Sequence, residues 1–181
     1  MKDWEKDKRW TDALLPQVKS ILGRHLIGDA PLEEDAERNT DLIVLRLDAV
    51  RIACRIRTYE YYLRYPDEFT IRAGRPSGIK TELTKIIEGW GNYFFYGFAS
   101  ADKAYLVKWT LGDLNAFRIY FNRYLYANGG RMPGILKENF DGSSDFRVFK
   151  AAAVPDFIFA EDEYEQPFQQ EFHQEAAHRT F

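Results

Sequence analysis

TDLIVLRLDAVRIACRIR, residues 40–57, holds two β-type runs separated by a two-residue break at Asp48-Ala49, the pattern of a hairpin. In the second run Val50, Ile52, Cys54 and Ile56 alternate with Arg51, Ala53, Arg55 and Arg57. Side chains alternate faces along a strand, so this spacing predicts one apolar face and one face carrying three guanidiniums. The first run opens on an acid, Asp41, one strand away from that basic face. Cys54 falls on the apolar phase, which predicts a buried and inert thiol. As the lone cysteine it also excludes an internal disulfide framework and a cysteine-based zinc site.

The charge around this stretch is segregated. Residues 29–41 hold six acids against Arg38, and residues 51–80 hold seven basic residues against Glu60, Asp67 and Glu68. Residues 155–181 hold seven acids and a single Arg, so the net charge of −3 conceals a basic middle and an acidic end. Such segregation suits an anionic partner; the alternative is ordinary surface charge closed by ion pairs. No apolar run approaches the ~20 residues that span a bilayer, and MKDWEKDKRW lacks the apolar core of a signal peptide. The expectation is a cytoplasmic protein without a membrane partner. His25, His173 and His178 are too scattered for a metal site or a triad.

Outward from the hairpin, residues 10–27 read as a helix with Trp10, Leu14, Val18, Ile21 and Leu22 on one face. Pro16 lies in its first turn or kinks it. A strand is expected over 68–72. A helix follows over 78–90, with Ser77 as its N-cap and Ile79, Leu83, Ile86 and Ile87 at helical spacing. Strands are expected over 93–99 and 105–109, then a helix carrying Leu114, Phe117, Phe121 and Leu125 that Gly129-Gly130 stops. Thr110 to Asp113 has the spacing of a capping box. Short strands over 146–149 and 157–159 complete a single domain, residues 1–160, followed by an acidic, flexible tail over 161–181. The fold class is α/β in the α+β sense, a mixed central sheet flanked by helices.

The order helix, hairpin, strand, helix, strand, with an acid at a strand start and a charged-x-charged triplet on the next strand, resembles the PD-(D/E)XK nuclease superfamily. Thr40-Asp41-Leu42 stands for the aspartate motif, and Arg55-Ile56-Arg57 stands in place of (D/E)-x-K. The segment EFTIRAGRPSGIKTELTKIIEGWGNYFFYGF, residues 68–98, is also similar to a recurrent block in phage and prophage proteins of that type. The resemblance spans about residues 10–126 and implies a restriction-endonuclease-like core. It further implies a Mg²⁺ ion on Asp41 and a second carboxylate, with Arg57 in the lysine role, for phosphodiester hydrolysis. Here the chain departs from the pattern: Arg55 occupies the carboxylate position. An arginine cannot ligate a cation, but its planar fork suits phosphate. The missing acid comes from Glu33, Glu34, Glu37 or Glu82, or the register shifts so that Asp48 pairs with Glu68-x-Thr70, with Arg72 beyond.

The residues that would contact nucleic acid are thus Arg51, Arg55, Arg57 and Lys80, with Asp41, Glu82 and Arg57 as the catalytic set if the site is active. Each has a plainer alternative: Asp41 caps a turn, and Arg55 and Arg57 pair with acids on an outer face. Glu82 can pair with Lys85 along its helix. Residues 77–81 offer a helix start with a lysine, a phosphate cradle, although Ile79 breaks the Gly-Lys step of a Walker loop. A second function class is a non-enzymatic interaction protein whose tail, EDEYEQPFQQEF at 161–172, docks a protein partner through Tyr164, Phe168 and Phe172. The same tail could fold over the basic groove as a phosphate mimic.

Overall fold

A computed structural model describes residues 3–29, 42–44 and 50–164. In chain order these form α1 (Asp3–Leu26), β1 (Ile27–Asp29), β2 (Leu42–Val44), β3 (Ile52–Arg57), α2 (Tyr59–Arg64), β4 (Glu68–Gly74) and α3 (Glu82–Ile87). There follow β5 (Tyr93–Ala99), β6 (Leu106–Asp113), α4 (Leu114–Ala127), β7 (Ile135–Glu138), β8 (Asp145–Lys150) and β9 (Ile158–Glu163). The fold is α+β, with two larger sheets and a small β1–β2 ribbon. None of its helices is long and apolar enough to cross a membrane among the described residues.

The main sheet runs β3-β5-β6-β9, with β3 parallel to β5 and the other pairs antiparallel. The second sheet, β4-β8-β7, is antiparallel throughout. β2 therefore pairs with β1, whereas β3 lies at the edge of the main sheet beside β5. Among the described residues the hairpin expected over 41–57 is not seen: β2 pairs with β1, and the second run pairs with the aromatic strand Tyr93–Ala99, 41 residues on. Three of the seven residues of β5 are phenylalanine and two are tyrosine, and the whole strand is buried.

Burial of both faces is what organises the layers. Tyr93, Phe95 and Ala99 pack with Ile56, Trp109 and Leu111 against Leu14, Val18 and Ile21 of α1. Phe94, Tyr96 and Phe98 point the other way, into a core completed by Phe69 and Ile71 of β4, Leu83 and Ile86 of α3, and Phe117 and Phe121 of α4. Each fully buried Phe contributes about 1.5–3 kcal/mol relative to exposure. Phe69 is the hub, stacked on Phe157 at 4.6 Å and on Phe149 at 5.3 Å, and meeting Phe94 and Phe117 edge-on.

Local boundaries differ from the periodicity where turn chemistry intervenes. α3 begins at Glu82, not Gly78, because Gly78 takes φ +68° in a turn and Thr81 is the residue whose hydroxyl accepts from Thr84 N. Asp113 is itself the N-cap of α4, accepting from Asn115 N at 2.6 Å and Ala116 N at 3.3 Å, so Thr110 stays within β6. Pro16 sits well inside α1. β7 carries no strong apolar alternation and is exposed throughout. Cys54 is exposed, a correction to the buried thiol, because the edge strand β3 is fully covered only at Ile56. Partial desolvation still raises its pKa, which keeps the thiol protonated at neutral pH.

β9 carries the chain on through Glu163, so the boundary expected at 160/161 falls inside a strand. A polar bridge fastens it. Lys108 Nζ lies 3.1 Å from both Asp67 and Glu163, and Tyr62 Oη donates to Glu163 at 2.6 Å. The Tyr62 hydroxyl, with Lys108 beside it, holds the Glu163 carboxyl below its ordinary range, and the same bond raises Tyr62. A depressed carboxyl stabilises the fold above its unfolded pKa of about 4.3, and that contribution is lost as pH falls through the lower folded value. Tyr62→Phe is expected to return Glu163 towards its ordinary pKa in a carboxyl NMR titration; an unmoved titration would mean that the bond is absent.

Gly112 of β6 lies directly beneath the Phe157 ring, and a Cβ there would overlap it. Gly112→Ala should therefore lower the urea midpoint, with a stability loss of about 1–3 kcal/mol. A variant as stable as the parent would contradict the seating of Phe157 over this strand.

Candidate functional site

Because Ala53, Arg55 and Arg57 alternate with Ile52, Cys54 and Ile56, the arginines of β3 face the layer that holds β4 and α3 and not open solvent. Two guanidiniums at the rim of an apolar core must find partners. Arg55 donates through Nη1 to Thr70 O at 2.9 Å and through Nη2 to Glu82 Oε2 at 2.5 Å. The same Glu82 oxygen accepts from Arg72 N at 3.1 Å, which ties the first turn of α3 to both sheets. The Arg55 and Glu82 side chains are 20% and 25% exposed, so this is a partly desolvated ion pair. Burial pushes the Arg55 guanidinium down from its ordinary value and the Glu82 carboxylate pulls it back; it remains a cation.

Arg57 takes a separate place. Its Nη2 donates to Thr70 Oγ1 at 2.6 Å, its Nε donates to Tyr96 Oη at 3.1 Å, and its guanidinium lies 4.8 Å from the Tyr61 ring centre. These contacts commit it to joining β3, β4 and β5.

A groove of about 450 Å³ opens on the other side of Arg55, between the start of β3, the end of β4 and α3. Six cationic side chains line it, Arg51, Arg55, Arg72, Arg75, Lys80 and Lys85, against one carboxylate, Glu82, which Arg55 already engages. Lys80 pairs with Glu88 at 2.7 Å on the exposed surface. Arg51, Arg72, Arg75 and Lys85 make no ion pair among the described residues. Clustered cations along one low-dielectric wall raise the local potential and draw in anions.

Of the residues singled out from the sequence, Arg51, Arg55, Lys80 and Glu82 come together in this groove, and Arg57 lies outside it. Asp41, together with Glu33, Glu34, Glu37 and Asp48, lies outside the described residues, as does the tail from residue 165 onward. Arg75 was visible only as bulk charge, Arg72 only in the shifted-register alternative and Lys85 only as a helical partner for Glu82; nothing in their spacing tells that a bend between β4 and α3 gathers them. Trp90 also lines the groove, and its signal was local: an aromatic between two glycines after a helix sits at a turn tip.

Of the two carboxylates expected on Mg²⁺, Asp41 lies outside the described residues and Glu82 is already engaged. Glu82 Oε2 is occupied by two N–H donors, the flanking side chains are cations, and no group of three or more His, Cys, Asp or Glu residues is close enough to hold a metal among the described residues. The helix-start cradle expected at 77–81 is likewise replaced by a turn, since α3 begins at Glu82 and is only 6 residues long. No family model, curated protein or solved structure matches the chain.

Glu82→Gln keeps the shape of the side chain but leaves Arg55 half-buried without its counter-charge. The expected cost is about 2–3 kcal/mol, below the range of fully buried pairs because both groups keep some solvent. Chemical denaturation measures it, and a change within about 0.5 kcal/mol, the size typical of neutral surface substitutions, would show the pair to be no more than a surface contact.

Proposed function

We propose that this chain binds nucleic-acid phosphates along the groove between β3 and α3, without catalysing their hydrolysis there. The carrying observation is four cations, Arg51, Arg72, Arg75 and Lys85, that converge on one groove with no ion pair among the described residues. Arginine is suited to this task, since its planar fork makes two parallel bonds to a phosphate, which carry geometry as well as charge. Arg55 serves the groove indirectly, since its bonds to Glu82 and Thr70 hold α3 against β4. Lys80 stands at the rim and exchanges Glu88 for phosphate at little cost, as expected for an exposed pair.

The resemblance to PD-(D/E)XK nucleases supports this reading only through the ligand, an arginine standing where the metal-binding acid would be; the scaffold lends no support, since among the described residues β2 pairs with β1 and β3 with β5. No step through a metal is part of it.

Phosphate contacts release counterions, so the reading makes a quantitative demand on salt dependence. With five contacts, Lys80 included, log K against log[salt] should fall with a slope of about −4, and Arg72→Ala/Arg75→Ala should remove about two fifths of it. Fluorescence anisotropy with labelled DNA and RNA provides the measurement. A flat salt dependence, or no binding even at about 50 mM salt, would sink the proposal. Full affinity in the double variant would place the contact elsewhere.

A further inference from the structure

The groove has one wall that charge does not explain. Trp90 is 65% exposed, and its indole meets no other ring or cation among the described residues. A side chain this large and apolar normally contributes to a core. Its exposure here is enforced by the backbone. Gly89 and Gly91 on either side take φ of +100° and +82°, a region in which other residues are strained, so the chain reverses sharply at the tryptophan.

That reversal is pinned from three directions. Arg118 of α4 donates to Ile86 O at 2.7 Å, to Trp90 O at 2.9 Å and to Gly91 O at 2.6 Å. Trp90 N donates to Lys85 O at 3.0 Å, closing the end of α3. Asn92 then joins the turn to β3, its amide donating to Arg51 O at 2.8 Å and its side-chain oxygen accepting from Arg51 N at 2.9 Å. The backbones of Trp90 and Arg51 are thus held in fixed relation on the same groove. A ring whose backbone is rigid and whose face is open loses little entropy when a second ring stacks on it.

We propose, on the basis of the phosphate-binding reading above, that the ligand is single-stranded nucleic acid, with one base stacked on Trp90 and the adjoining phosphates on Arg51, Arg72, Arg75 and Lys85. A duplex keeps its bases stacked on one another and offers no free π-face, so the indole would add nothing to duplex binding. A single strand exposes a face at every base, and stacking on an aromatic platform beside a basic track is the common way such strands are held. The groove, about 450 Å³ and open to solvent, has room for a base on Trp90 with its adjoining phosphates.

Three probes separate this inference from the reading it rests on: labelled oligothymidylate, a mixed-sequence duplex of equal length, and inorganic polyphosphate, which has the charge without the bases. The wild-type protein should prefer oligothymidylate over the duplex by about tenfold or more, and Trp90→Ala should erase a preference of that order. Trp90→Phe should keep most of it, and Trp90→Ala should bind polyphosphate as the wild type does. Indole fluorescence should be quenched by oligothymidylate in the wild type and to a lesser degree in Trp90→Phe, a readout independent of how well the alanine variant folds. Equal affinity for strand and duplex, or an unchanged oligothymidylate affinity in Trp90→Ala, overturns the single-strand assignment while the phosphate reading stands. Loss of oligothymidylate and polyphosphate binding together in both variants overturns the stacking role. Failure of the wild type to bind any of the three overturns both.

Discussion

The layers of this protein follow from one constraint, the need to cover β5 on both faces. A strand reading Tyr-Phe-Phe-Tyr-Gly-Phe-Ala has no face suited to water, and every residue of it is buried. α1 covers one side, while β4, α3 and α4 cover the other. Neighbouring strands inherit this arrangement through register. β3 pairs residue for residue with β5, so its Arg55 and Arg57 must share the layer of Tyr96 and Phe98. Their placement is a consequence of packing before it has any bearing on ligands.

Placing guanidiniums beside an aromatic core divides them by role. Arg57 is spent on Tyr96, Thr70 and the Tyr61 ring, and Arg55 on Thr70 and Glu82. Such contacts position rather than bind. The cations left for an anion are those that β3, β4 and α3 present beyond the paired layer. On the proposed reading, the arginines that would meet an anion and those that hold the layers together lie on opposite sides of the Arg55–Glu82 contact.

Part of this arrangement is legible in individual residues of the sequence. The α1 face, β4, β5 and the α4 core residues follow from spacing, since Leu14, Val18, Ile21 and Leu114, Phe117, Phe121 repeat at helical intervals and all are buried. The pairing of β3 was not legible. Alternation says that a segment is a strand but not which strand it joins, and a parallel partner 41 residues away leaves no local trace. The start of α3 was misplaced because Ser77 and Thr81 are both competent caps, and only Gly78 at positive φ decides between them. The groove was half visible. Its charge could be counted, but the turn that sets Trp90 beside Arg51 depends on Arg118, a residue of a distant helix.

The sheet connections also fix the order in which the chain can become complete. Among the described residues β4 is paired by β8 alone, and the edge of β6 away from β5 is closed by β9. Until residues 145–163 have been synthesised, Phe69 and Ile71 lack their partner strand and Phe157 is not yet available to cover Gly112. A nascent chain that has made β5 and β6 therefore displays a broad aromatic surface with two open edges, the state in which β-rich intermediates associate with one another. Contacts between segments so far apart also close slowly. The aromatic richness that gives the finished protein its core makes its unfinished form the one most in need of protection during synthesis.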